Sequence, residues 1–198
     1  GAKAIFEEVA IELPNDWRPF WYLGAIADLE KKDSLALRYF EKVTQMGGGT
    51  IEAWWLVGIH HFENNEHQKV LELMEKAQKH FPGEYRVYFL KGIAYSRLER
   101  NDEAVTSLQR ALELNPNDVN TLSSLALTLD GMKRFAESDS LYERAVRIDP
   151  AYHLVLNNYS YSLAERGIQL ERALRMALEA VKAEPENSSY LDTLGWIY

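Results

Sequence analysis

Apolar residues recur along the chain at steps of three and four, as in Leu108, Ala111 and Leu112 or in Tyr88, Gly92 and Tyr95. Such steps return side chains to one face of an α-helix, which completes a turn in about 3.6 residues. Polar clusters interrupt the pattern at ENNE, ERND and GMKR. Asp33 and either Asn101 or Asp102 suit helix N-caps, because their short oxygen-bearing side chains can accept from the first backbone amides. Prolines stop other helices: the residue before proline avoids helical geometry, and the missing N–H ends the ladder. Asp16 and Asp118 follow two such prolines and are placed to cap the next helix. The pattern predicts helices in pairs.

The pairs repeat. Pro82, Pro116 and Pro150 lie 34 residues apart, with Pro185 one residue late and Pro14 two periods before Pro82. Gly24, Gly58 and Gly92 keep the same period and continue as Ala126, Ser160 and Gly195. Small columns run Ala36, Val70, Ala104, Ser138, Ala173 and Val43, Ala77, Ala111, Ala145, Ala180. A bulky column runs Phe6, Phe40, Met74, Leu108, Tyr142. Small residues in register let paired helices approach closely, so these columns mark the faces that pack. The pattern resembles the tetratricopeptide repeat in period and in signature positions, over essentially the whole chain. The repeat from Tyr85 fits best, with Tyr88, Gly92, Tyr95, Ala104, Leu108, Ala111 and Pro116 in place. The repeat from Ile51 carries Trp54, Gly58, Ala77 and Pro82. Departures are Ala126 and Ser160 for glycine, Gly48 for proline, and an extra residue near RGIQL. The pentatricopeptide alternative, an RNA-reading helix pair, conflicts with the acidic balance and with the glycine, alanine and proline columns.

The resemblance implies an all-α fold, a right-handed superhelical solenoid of antiparallel helix pairs forming a single array. Residues 1–16 read as the second helix of a truncated repeat. Full repeats follow at 17–50, 51–84, 85–118, 119–152 and 153–187, and residues 188–198 read as a lone first helix. Natural arrays end in polar capping helices, and GWIY is not one, so the expectation is an excised piece of a longer repeat protein. Unpaired ends also raise the expectation of end-to-end self-association. The GGG of MGGGT is expected to loosen one junction between repeats.

Aromatic doublets recur with the same period at Phe20–Trp21, Trp54–Trp55 and Tyr88–Phe89. Neighbours on a helix diverge by about 100°, so the first member faces the paired helix and the second lies on another stripe. In tetratricopeptide arrays that stripe resembles the lining of the concave groove. The groove stripe runs Arg18, Trp21, Ala25, Asp28; then Glu52, Trp55, Ile59, Phe62; then Arg86, Phe89, Ile93, Ser96; then Asn120, Ser123, Leu127, Asp130; then Leu154, Asn157, Tyr161, Ala164. From it are drawn Trp21, Trp55, Ile59, Phe62, Arg86, Phe89, Ile93, Asn120, Ser123, Asn157 and Tyr161. These residues are the candidate partner contacts, aromatic in the N-terminal half and polar in the C-terminal half. Trp21, Trp55 and Phe89 either bind a partner, as aromatic anchors do, or seal contacts between adjacent first helices. Asn157 and Asn158 either bracket an extended peptide backbone or belong to a solvated surface. The family's carboxylate-binding clamp needs lysine, arginine and asparagine in set groove positions. Here those positions are mostly aromatic, aliphatic or acidic, with Arg86 isolated.

Charge and composition narrow the chemistry further. Of 198 residues, 22 are Lys or Arg and 30 Asp or Glu, a net charge of -8 that opposes a nucleic-acid partner. No cysteine is present, which removes disulfides, thiolate–zinc sites and thiol catalysis. The longest apolar runs, such as WWLVGI, fall far short of the ~18 residues that span a membrane. Cytoplasm and bacterial periplasm are equally compatible. His60, His61 and His67 lack the i,i+4 convergence of zinc ligands and are expected at surfaces and in loops. GGGT has no following Gly-Lys-Ser/Thr and is not a phosphate loop. No nucleophile, base and orienting group can be assembled. The expectation is a non-catalytic scaffold without metal or cofactor that binds a protein or peptide. The rival readings are a substrate-recruiting segment of a larger enzyme, such as a glycosyltransferase, and self-assembly.

Overall fold

The computed structural model describes residues 1–198 as twelve α-helices without a strand. They fall into two units, Gly1–Glu99 and Arg100–Tyr198. The first unit holds α1 (Ala2–Glu12), α2 (Trp17–Leu29), α3 (Asp33–Gln45), α4 (Ile51–Glu63), α5 (His67–His80) and α6 (Tyr85–Arg97). The second holds α7 (Asn101–Leu114), α8 (Val119–Gly131), α9 (Phe135–Ile148), α10 (His153–Glu165), α11 (Leu170–Ala183) and α12 (Ser188–Ile197).

Two kinds of turn alternate. Within a pair, the chain reverses through a left-handed residue at Lys31, Asn65, Lys133 and Gly167, and Glu99 takes the same conformation, so that the five fall 34 residues apart. The amide of the following residue reaches back to a helix carbonyl, as from Lys32 to Ala27 and from Arg134 to Leu129, both at 2.9 Å. That is the helix-ending motif in which glycine is usual, and here only one of five positions is glycine. Between pairs, proline follows the second helix by two residues: α5 ends at His80 before Pro82, and α7 at Leu114 before Pro116. Asp16 and Asp118 cap as expected, accepting from the amides of Arg18 (2.9 Å) and Thr121 (2.8 Å). Asp33 and Asn101 do not cap. They are the first helical residues of α3 and α7, and Lys32 and Arg100 occupy the cap positions. The left-handed residue just before each cap brings the chain onto the helix one position earlier.

The MGGGT junction is tightly packed rather than loose. Gly47 and Gly49 take positive φ, 70° and 88°. Gly48 is buried beneath the indole of Trp17, which a Cβ at that position would meet at 2.1 Å. The indole N–H of Trp54 donates to the Gly48 carbonyl at 2.8 Å. Glycine fits here for two reasons: Trp17 takes the space a side chain at position 48 would need, and positions 47 and 49 take positive φ.

The core of the first unit combines Phe20, Phe40, Val43 and Val57 with Trp54, Val70, Met74 and Leu90. Gly24 lies under the Phe40 ring, whose nearest atoms would stand 2.7–3.1 Å from an added Cβ. The core of the second unit is built on Leu122, Ala126, Leu163, Ala173 and Ala180, with Tyr142 and Tyr159 stacked at 4.9 Å. Trp54, Gly24, Gly58, Gly92, Ala77, Ala111 and Ala145 are all buried, as the small columns require. Tyr88 differs: it is half-buried, because its hydroxyl turns out to donate to the Pro82 carbonyl at 2.9 Å. Helix α1 buries no residue, and α12 leaves Leu191 and Trp196 exposed.

Candidate interaction face

In the first unit, α4 and α6 lie side by side, and Trp55 and Phe89 occupy equivalent positions on them. Their rings meet at a centroid distance of 6.1 Å and a tilt of 31°. Trp21, the third member of the stripe, stands edge-on to Tyr22 at 5.0 Å. All three stripe rings are half-buried, while Trp54, one residue away, is 1% exposed. A single step along one helix therefore separates a core ring from a surface ring. Ile59, Phe62 and Ile93 extend the stripe and are also half-buried. Phe62 has His67 on one side at 5.1 Å and the Arg97 guanidinium at 5.9 Å. Arg86 is not an isolated cation: it bonds Glu84 at 3.0 Å and, across to α4, Glu52 at 3.3 Å.

The corresponding stripe of the second unit is polar, and its groups are used between helices. Asn120 accepts from the Tyr152 hydroxyl at 2.6 Å, Ser123 from the Asn158 amide at 3.3 Å, and Asp130 from Ser162 at 2.6 Å. Ser123 is 2% and Asn157 7% exposed, so neither offers much surface. Both readings of the asparagine pair, a bracket for a peptide backbone and a solvated surface, are thus corrected: Asn157 is buried with its Oδ1 unpartnered, and the Asn158 amide donates to Ser123. Tyr161 does stand out, and Leu127 of α8 is exposed with it. Beneath this stripe, ionic contacts tie α9 to α10 and α11. Arg166 bonds Asp139 at 2.6 Å, and Arg172 bonds Glu143, which also accepts from the Tyr159 hydroxyl at 2.8 Å. The Arg172 hydrogen bond holds the Glu143 carboxyl below its ordinary value, and burial pushes the Tyr159 hydroxyl up.

The histidines also depart from expectation. His60 and His61 lie within α4 and His67 opens α5, and all three are half-buried. His61 is held by Glu66 at 2.6 Å. Trp17 and Tyr152 were not singled out from the sequence, although both fix joints between helices. Trp17 follows the cap Asp16 directly, which was the available signal. Tyr152 lies 34 residues after the cap Asp118, in the same column, and its departure from a capping residue type was the signal there.

Helix pairs with glycine and alanine columns at a 34-residue period define a repeat protein, and the chain belongs to the tetratricopeptide repeat family. The model for "Psidin, N-terminal TPR repeats region" matches residues 59–194. Among curated relatives, the anaphase-promoting complex subunit 3 of Schizosaccharomyces pombe is 27% identical over 69% of this chain and 20% of its own length. The chain therefore spans about a fifth of that relative. Among solved structures, YrrB, described as a TPR protein with an unusual peptide-binding site, superposes with a TM-score of 0.68 at 21% identity, covering 94% of this chain and 96% of that one. TTC0263, a thermophilic TPR protein of Thermus thermophilus, gives 0.73 at 15% identity, covering 92% and 98%. These likenesses are of fold.

Proposed function

We propose that the chain is a protein-interaction scaffold that binds an extended peptide or a partner helix across the first-helix face of its first unit. Trp55 carries the proposal. It is a large ring left half-exposed on a rigid helix, in register with Trp21 and Phe89 and one residue from a fully buried tryptophan. Rigid aromatics of this kind anchor interfaces, because they bury much area for little lost rotamer freedom. The peptide-binding site named for YrrB lends the reading support by analogy of fold. A second reading rests on the ring contact between Trp55 and Phe89, in which the stripe only joins neighbouring first helices.

Capture of partners from a source lysate by wild type, Trp55→Ala and Trp54→Ala separates the two. On the binding reading, Trp55→Ala weakens capture by ~2 kcal/mol or more while melting close to wild type. A Trp55→Ala protein that keeps every partner and melts early supports the joining reading instead.

A further inference from the structure

The first unit also holds a cleft of ≈ 300 Å³ between the end of α2, the first half of α3 and α4. Its floor is apolar, from Phe40 and Leu37 of α3 and Leu56 and Ile59 of α4. The repeat explains why this space exists. One period earlier, the equivalents of Phe40 and Leu56 are Phe6 and Tyr22, whose rings stack at 4.5 Å and 10°. Leucine at position 56 has no ring to lay on Phe40, and it remains 43% exposed in the opening.

Three carboxylates line the same cleft: Asp28, Asp33 and Glu63. Neighbouring Glu30 is paired with Lys32 at 2.7 Å, but none of these three meets a cation of the chain. No lysine or arginine lines the cleft; His60, whose ring bonds the Asn64 amide at 3.1 Å, is the one basic side chain in it. An apolar floor under unpaired negative charge suits a long side chain with an aliphatic stem and a cationic head, which lays its methylenes on hydrocarbon and keeps its charge among carboxylates. An acidic or a purely apolar ligand satisfies only half of that lining. We infer that this cleft receives an arginine or lysine side chain of a partner peptide. The inference rests in part on the proposed groove, because Ile59 belongs to its stripe, but not on Trp55, which does not line the cleft.

The test follows the methyl NMR signals of Leu37, Leu56 and Ile59 during titration with Gly-Ser-Xaa-Ser-Gly peptides blocked at both ends. Xaa is arginine, lysine, norleucine or glutamate. Arginine and lysine peptides are expected to give saturable shifts at these methyls that weaken with added salt, with norleucine at least about tenfold weaker and glutamate inert. Asp28→Asn with Glu63→Gln should cost about tenfold for arginine and leave norleucine unchanged. Leu56→Tyr, which rebuilds the stacked arrangement seen one repeat earlier, should abolish binding without lowering the melting temperature. Trp55→Ala should leave the arginine titration intact, so loss of groove partners and loss of cleft binding are separate results. Equal binding of norleucine and arginine, indifference to the carboxylate changes, absence of saturable shifts, or loss of binding in Trp55→Ala would each overturn the inference.

Discussion

Between α4 and α6 of the first unit, one indole lies against one phenyl ring, Trp55 on Phe89. Between α8 and α10 of the second, the same relation is made by Tyr152 on Asn120, Asn158 on Ser123 and Ser162 on Asp130. Both joints connect first helices of successive pairs, but their physics differs. A ring contact is non-directional and leaves the outer ring faces able to be covered again, since apolar burial scales with area. A hydrogen bond uses a directed donor and acceptor, and a partner competing for either must leave the other unsatisfied or supply its own group. The aromatic joint thus holds the repeat and leaves ring surface free, which is what the proposed binding requires. The polar joint has most of its chemistry already committed.

The largest expected effect tests how sharply the first unit divides core from surface. Trp54→Ala removes a ring that is 1% exposed and a hydrogen bond to Gly48. It should cost ~3–5 kcal/mol in urea unfolding. Trp55→Ala, which loses a half-exposed ring and one ring contact, should cost about 1 kcal/mol. Equal losses would show that both tryptophans are core and would erase the contrast between the rings.

A smaller pair of changes compares equivalent glycines in the two units. Gly24→Ala drives a methyl into the Phe40 ring, which is 6% exposed and has little room to move. A loss of ~1–3 kcal/mol is expected from overpacking. Gly195→Ala on α12 meets nothing within 4 Å and should gain ~0.5–1 kcal/mol, because alanine loses less backbone freedom than glycine in a helix. Thermal unfolding of the two variants should move in opposite directions.

The sequence showed what the period enforces and missed what single contacts decide. Gly24, Ala77 and Ala145 were legible because close helix approach admits only small side chains at those places, repeat after repeat. The half-exposed second ring of each doublet was legible from the 100° step alone. The left-handed turn residues were not, because Lys31, Asn65, Glu99 and Lys133 fill a conformation that glycine would have advertised. The MGGGT junction misled for the opposite reason: Gly48 signals crowding by Trp17 and its two neighbours signal positive φ, whereas composition suggests slack. The second partner of Arg86, Glu52, lies a full repeat away, and no local pattern carries that contact.

The smallest effect concerns the ionic contacts of the second unit and appears only in acid. The Arg172 hydrogen bond holds the Glu143 carboxyl below its ordinary value of 4.5, with a further contribution from the Tyr159 hydroxyl. Because the folded value is the lower one, the unfolded chain binds the proton more readily. The contact therefore adds stability above the ordinary carboxylate value, and that stability is lost as pH falls through the folded one. Both partners are about one-third exposed, so solvent screens the pair and the contribution should be modest, about 0.5 kcal/mol. Arg172→Gln should lower the urea midpoint slightly at pH 7 and reduce the further drop on acidifying well below the ordinary carboxylate value, as the wild type loses the same contact. High salt at pH 7 should bring the wild type toward the variant. Urea midpoints for both proteins at the two pH values decide it: parallel acid limbs would mean that Glu143 gains nothing from Arg172.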